Sequence, residues 1–345
     1  MYLAPKPEAR MLGTVESVES LLVRAFPGCR VLGCTALGGG VSAQATSCDL
    51  ELATGARQRV VVRRPSAELG CAEPKLASRE YTVLTLARDA KVPAPKPLFL
   101  DEANARLVLE FVEGTLDFAP LDLGRSMLEL ARVLVAIHGI DVRRLDPSLL
   151  PQRADTVSSW LREPPAALDT ALGEAPLRAA LGRLWPWTAR NRGVLLHGDY
   201  WPGNVLWNGD EIRAVLDWEE AELGDPLADV ALTRLDLWWA YGREASDEFT
   251  RRYRELTRVD WTHLAHFDLC IALRPMSQLA RWADAYRTPA IARPDIDVAH
   301  PAIRYFQEPL NDPVSRLIQR INAGLGPCRG MDHRCWRLIC TPRAM

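Results

Sequence analysis

Apolar positions along residues 15–26 recur at 15, 18, 21, 22, 25 and 26. That is the spacing of a helix with one buried face, and Glu16 and Glu19 sit early, where the helix dipole favours acid. Pro27 and Gly28 end it. Short alternating segments follow up to Val60-Val61-Val62-Arg63-Arg64-Pro65, with Thr54-Gly55 as a hairpin turn. Residues 75–90 return to a helical stripe through Leu76, Tyr81, Val83, Leu84, Leu86 and Ala87. The proline-rich 92–97 cannot be helical and forms a rigid connector to a hairpin of 98–100 and 107–112.

Beyond residue 114 the period is mostly helical. Residues 122–138 carry apolar positions at 123, 127, 130, 131, 134 and 137, with Asp122 as cap and Gly139 as stop. The stretch 147–165 is expected to be loop-rich with one helical turn, and Leu177 to Trp185 gives another helical face. Three apolar runs, 194–196, 205–207 and 212–216, predict short strands around a polar loop. Asp225 and Pro226 then open a helix whose stripe is Leu227, Val230, Ala231, Leu235 and Trp238. Helices over 245–256 and 262–285 follow, then a proline-broken segment, a helix near 313–324, and a tail without helical period.

Composition narrows the class. The 345 residues are 48% hydrophobic and 25% charged, ordinary for a globular chain, and the formal charge of −2 offers no field for nucleic acid or an anionic membrane. The N-terminus has no secretory pattern and no later apolar run reaches membrane-spanning length, so a cytoplasmic location is expected. Eight cysteines without a C-x-x-C pair fit a reduced compartment. His263 and His266, at i and i+3, have a spacing compatible with a metal pair but no third ligand nearby to complete it.

The chemistry concentrates at His197-Gly198-Asp199, with Asn204 five residues after the aspartate and Asp217 thirteen further on. One carboxylate can orient an attacking hydroxyl and take its proton, while an amide oxygen and a second carboxylate can hold Mg²⁺ against nucleotide phosphates. The stretch resembles the catalytic loop and metal-binding segment of the aminoglycoside phosphotransferase and choline kinase group, with its H-G-D-x-x-x-x-N and D-[FW]-[EG] motifs. The G-D-P-L-A-D run from Gly224 to Asp229 is similar to a run in the same family.

The resemblance implies an α+β, bilobal protein-kinase-like fold: a small N-terminal lobe of antiparallel sheet and one helix (1–113), a larger, mostly helical lobe (114–327), and a loose tail (328–345). It implies Asp199 as catalytic base, Asn204 and Asp217 as metal ligands, and His197 as a brace of the loop. Gly39, Gly40 and Ser42 of the Gly-rich turn would cover the nucleotide. Arg63 would stand where kinases carry a lysine, sharing a strand face with Val61 while Arg64 points away. Glu80 would pair with Arg63, with Glu73 as the alternative, and Glu110, Phe111 and Val112 would offer backbone groups to the base.

His138 is expected to be structural, and Asp229 either supports the loop by hydrogen bonding or is a solvated helix carboxylate. The function implied is an ATP- or GTP-dependent, Mg²⁺-assisted kinase of a small hydroxylated molecule, with no nucleic-acid or membrane partner. A nucleotide-binding pseudokinase scaffold is the alternative. Trp201, Trp238, Trp239 and Tyr241 are expected either to belong to the core or to line an apolar or cation-binding acceptor site.

Overall fold

The computed structural model describes residues 17–37, 43–117, 120–143, 145–146, 148–170 and 173–274. They fall into two compact units, residues up to Tyr81 with Lys96–Phe111, and Thr82–Pro95 with residues from Val112 on. The Gly-rich turn (Gly39, Gly40, Ser42), the helix expected near 313–324 and the tail lie outside the described residues.

The first unit is built on a five-stranded antiparallel sheet of order β1-β2-β3-β5-β4: β1 Arg30–Leu37, β2 Ala43–Glu51, β3 Arg57–Pro65, β4 Pro97–Asp101 and β5 Arg106–Glu110. Helix α1, Val18–Ala25, is capped by the Ser17 hydroxyl and packs Leu21 and Leu22 against Cys48, Leu50, Val60, Val62 and Val108. Each fully buried leucine contributes about 1.5–3 kcal/mol. Alternation along β3 sends Val60 and Val62 into this core and Arg63 to the opposite side. A short helix not anticipated from the sequence, α2 at Ala67–Ala72, is capped by Ser66 and precedes α3, Leu76–Asp89.

One expectation about this sheet is overturned. Eight cysteines without a C-x-x-C pair fit a reduced compartment, but Cys34 and Cys48 face each other across β1 and β2, with Cα atoms 4.2 Å apart, and form a disulfide. Register rather than spacing brings them together.

The second unit begins with the closing turns of α3 and the proline segment to Pro95, then runs mostly through helices. These are α4 Leu123–His138, α5 Arg153–Arg162, α6 Glu174–Leu184, α7 Leu227–Tyr241, α8 Arg243–Leu256 and α9 Leu264–Ile271. Asp122 accepts the Arg125 N–H at the start of α4, and Gly139 closes that helix. Four short strands form two antiparallel pairs: β6 Val194–Leu196 with β9 Glu222–Gly224, and β7 Val205–Asn208 with β8 Glu211–Val215.

Two expectations change here. The single turn predicted within 147–165 is the ten-residue helix α5, whose inward positions are Arg153 and Val157, and Arg153 pairs with Glu222 of β9 at 2.8 Å. A helix held by a buried ion pair leaves little apolar period. The helix expected over 262–285 opens as a 3-10 turn at Trp261–His263, and α9 ends at Ile271; residues past 274 are outside the described set. Helix α7 begins one residue later than predicted, although Asp225 Oδ1 still accepts the Leu227 N–H at 3.0 Å. No helix among the described residues is long and apolar enough to cross a membrane.

Candidate active site

The loop between β6 and β7 is held from beneath by one buried carboxylate. Asp229, in the first turn of α7, accepts the backbone N–H of His197 at 2.7 Å and of Gly198 at 3.0 Å, and contacts His138 Nε2 at 3.2 Å. Burial alone would raise this carboxyl, but the hydrogen bond and charge of His138, helped by His197, hold it below its usual value. Tyr253 in turn bonds His138 Nδ1 at 2.6 Å. Asp229 is thus a loop support rather than a solvated helix residue.

Gly198 has φ +81, and a Cβ there would overlap the Glu220 carbonyl, so glycine alone fits. His197 is fully buried, and burial pushes its pKa down. Its Nδ1 accepts the Asp199 N–H at 3.2 Å, which makes Nε2, 3.0 Å from the Leu216 carbonyl, the protonated nitrogen. The ring therefore braces the loop as a neutral imidazole against buried Trp218, 4.6 Å between centroids, whose indole N–H donates to the Val215 carbonyl.

Above this base Asp199 and Asn204 meet: Asn204 Nδ2 donates to Asp199 Oδ2 at 2.8 Å and to its carbonyl at 3.0 Å. The Leu216 N–H donates to the Asn204 carbonyl at 2.7 Å, tying residue 204 to the residue before Asp217. Asp217 itself sits at φ +62, in the left-handed region. With Asn204 Nδ2 committed to Asp199, the amide oxygen is the atom of this side chain that would serve if it bound a cation. An amide and a carboxylate oxygen are the hard donors that suit Mg²⁺, which keeps most of its shell as water and phosphate. Among the described residues no group of three or more His, Cys, Asp and Glu is placed to hold a metal ion, and the rings of His263 and His266 pack with Trp187.

Arg274, just past α9, reaches the same loop. Its Nη2 lies 2.6 Å from Asp199 Oδ1 and 3.1 Å from Glu220 Oε2. Sequence reasoning missed it, because nothing local marks an arginine that acts 75 residues from its partner. Asp236 belongs to the same charge group. Burial pushes it up to about 7, with Arg274 opposing and Asp199 and Glu220 adding to the rise. An unfolded aspartate titrates near ~3.9, so between those values the folded chain binds a proton that the unfolded chain does not. The stability this gives is full at acid pH and lost as pH rises through about 7. Asp236→Asn is expected to gain melting temperature over the parent from about pH 5 to about pH 8, with the gap widening; a gap independent of pH would refute the assignment.

The remaining predicted residues are placed as follows. Arg63 and Glu80, both buried, form an ion pair within the first unit, while Glu73 pairs with Arg79 at 2.7 Å. The N–H groups of Glu110 and Phe111 donate to the carbonyls of Lys96 and Arg59, at 2.9 and 3.4 Å. Those two amides are committed to the sheet, which narrows the expected donor to Val112. Trp201 folds over Gly203, where a Cβ would strike its ring, and stands 6.3 Å from Trp239. Trp238 receives Arg243 over its face at 5.8 Å, and the Tyr241 hydroxyl donates to the Asp117 carbonyl.

Comparison with known proteins agrees with this geometry. A family model described as "Phosphotransferase enzyme family" matches residues 35–294. Among curated proteins, mouse acyl-CoA dehydrogenase family member 10 is 28% identical over 222 residues, 58% of this chain and 20% of that protein. Chicken acyl-CoA dehydrogenase family member 11 is 31% identical over 187 residues, 47% of this chain and 23% of that protein. The matches thus span about a fifth to a quarter of these relatives' length. Among solved structures, a thermostable mutant of aminoglycoside phosphotransferase APH(4)-Ia in ternary complex with AMP-PNP and hygromycin B superposes with TM-score 0.58 at 21% identity, covering 88% of this chain and 97% of that one. Macrolide 2'-phosphotransferase MphH from Brachybacterium faecium gives TM-score 0.55 at 17% identity, covering 85% and 98%. These likenesses establish the protein-kinase-like α+β fold.

Proposed function

Because the chain belongs to the phosphotransferase enzyme family, we propose that it moves the γ-phosphate of ATP or GTP to a hydroxyl of a small molecule. The observation that carries this reading is the Asp199–Asn204 pair in a loop whose backbone is fixed by buried Asp229. Fixed geometry matters most here, since phosphoryl transfer asks for positioning and charge stabilisation rather than covalent work by the protein.

Asp199 orients the acceptor hydroxyl and accepts its proton as the oxygen attacks in line. Asn204 and Asp217 are the residues that would hold Mg²⁺, which supplies charge neutralisation at the phosphates. Arg63, oriented by Glu80, is the first unit's candidate for binding phosphate oxygens. Val112 is the candidate backbone donor to the base, and Gly39, Gly40 and Ser42 are proposed to cover the phosphates. Relatives crystallised with AMP-PNP and hygromycin B, or described as acting on macrolides, support a nucleotide and a small hydroxylated acceptor.

The test is Mg²⁺-dependent nucleotide consumption with a panel of aminoglycosides, macrolides, choline and amino alcohols. Turnover with one acceptor supports the reading. Nucleotide binding without turnover on every member would instead favour a scaffold. A second expectation concerns Arg63→Lys, which keeps the charge but loses the planar fork. Its KM for nucleotide should rise about tenfold, or about 1.4 kcal/mol; an unchanged KM would remove Arg63 from phosphate binding.

A further inference from the structure

The pair of donors on Asp199 is unequal in origin. Asn204 comes from the same loop, whereas Arg274 arrives from the far end of α9. The turn after that helix is fixed by its own backbone bonds, Leu273 N–H to the Cys270 carbonyl at 3.1 Å and Arg274 N–H to the Ile271 carbonyl at 2.9 Å. Helix α9 is anchored by buried Phe267, Leu269, Cys270 and Ile271 and packs on α7, the helix that carries Asp229. Asp229 and Asp236 lie seven residues apart on α7, two turns along one face. The elements that hold the loop backbone therefore also deliver the guanidinium to its side chain.

We propose that Arg274 is a positioning residue for the reaction: anchored by Glu220, it binds Asp199 Oδ1 while Asn204 binds Oδ2, and so fixes the plane of the carboxylate that receives the acceptor's proton. This rests on the phosphotransferase reading above. Two donors on different oxygens set a carboxylate's orientation as one cannot. Each oxygen keeps a further lone pair, so the incoming hydroxyl can still bond to Asp199. Arg274 is also the cation that Asp199, Glu220 and Asp236 share, and all three raise its affinity for its proton against the effect of burial. Without it these carboxylates would repel one another, and Asp199 would turn away. Its side chain is 18% exposed and that of Asp199 22%, so both reach solvent.

The experiment uses the full chain with Mg²⁺ and ATP, water serving as phosphoryl acceptor, and follows phosphate release together with the Kd of a fluorescent ATP analogue. Arg274→Ala is expected to slow release by about tenfold to a hundredfold, the scale of a small misplacement of a reacting group. Nucleotide Kd should stay within about twofold, since the residue acts on the attacking side. Arg274→Lys should recover part of the loss. In an Asp199→Ala background, Arg274→Ala should cost nothing more, because the group it positions is gone.

Release at or above the parent rate would overturn the proposal, as would the same fold-loss with Asp199 already removed, or a loss of nucleotide affinity that accounts for the whole effect. Arg274→Gln, a shorter and neutral side chain, replaces the alanine variant should the latter not fold, with the same outcomes. A parent no faster than Asp199→Ala would instead defeat the phosphotransferase reading and this inference with it. A working parent with an unaffected Arg274→Ala defeats this inference alone.

Discussion

Asp199→Asn is expected to lower phosphoryl transfer by about a thousandfold while leaving nucleotide affinity within about threefold, the signature of a lost general base. Asparagine keeps the shape of the side chain but cannot take the proton of the acceptor hydroxyl. It can still accept hydrogen bonds through one oxygen, so the loop geometry set by Asp229 should persist. Single-turnover kinetics with an acceptor identified from the panel, beside nucleotide titration, separates the two effects. A variant retaining more than about a tenth of parental turnover would remove Asp199 as base, given the usual hundredfold or greater contribution of such groups. In that case Glu220, which shares Arg274 with Asp199, would be the next carboxylate to test.

Asp229→Ala is expected to destabilise the second unit by about 3–5 kcal/mol, because it strips the acceptor from two buried backbone N–H groups and from a buried imidazole at once. For a unit of this size that corresponds to a fall in thermal midpoint of roughly 10 °C. Asp229→Asn, retaining one oxygen, should fall between the two. Activity should drop further than stability alone requires, since His197 and Gly198 lose the contact that fixes the backbone before Asp199. An alanine variant melting within about 1 °C of the parent would show that water replaces the carboxylate, contrary to its full burial.

Much of this arrangement is legible in the chain. The period of residues 122–138 and their flanking Asp122 and Gly139 predict α4 to the residue, because caps are local chemistry. Strand alternation separates Arg63 from Arg64, and the structure places Arg63 beside Glu80 on the side of the sheet away from the α1 core. The misses share one physical origin: they depend on partners distant in sequence. Helix α5 is organised by Arg153 and its pairing with Glu222, so its apolar stripe is thin. Strand β9 is only three residues long and exists through its pairing with β6. Arg274 gains meaning only once α9 is packed on α7. The disulfide has the same origin, since Cys34 and Cys48 meet only through the register of β2 on β1.

The left-handed backbone of Asp217 has a consequence for laboratory evolution. Glycine is the residue that such a conformation suits best: relieving it is worth about 1–2 kcal/mol, against an entropic cost of glycine of about 0.5–1 kcal/mol. At this position the same exchange deletes a proposed metal-binding carboxylate. Backbone comfort and chemistry thus pull opposite ways at one codon. A library screened only for survival at high temperature should accumulate Asp217→Gly and drift toward sturdy, inactive chains, whereas a library screened for turnover should keep the aspartate and find its heat resistance elsewhere.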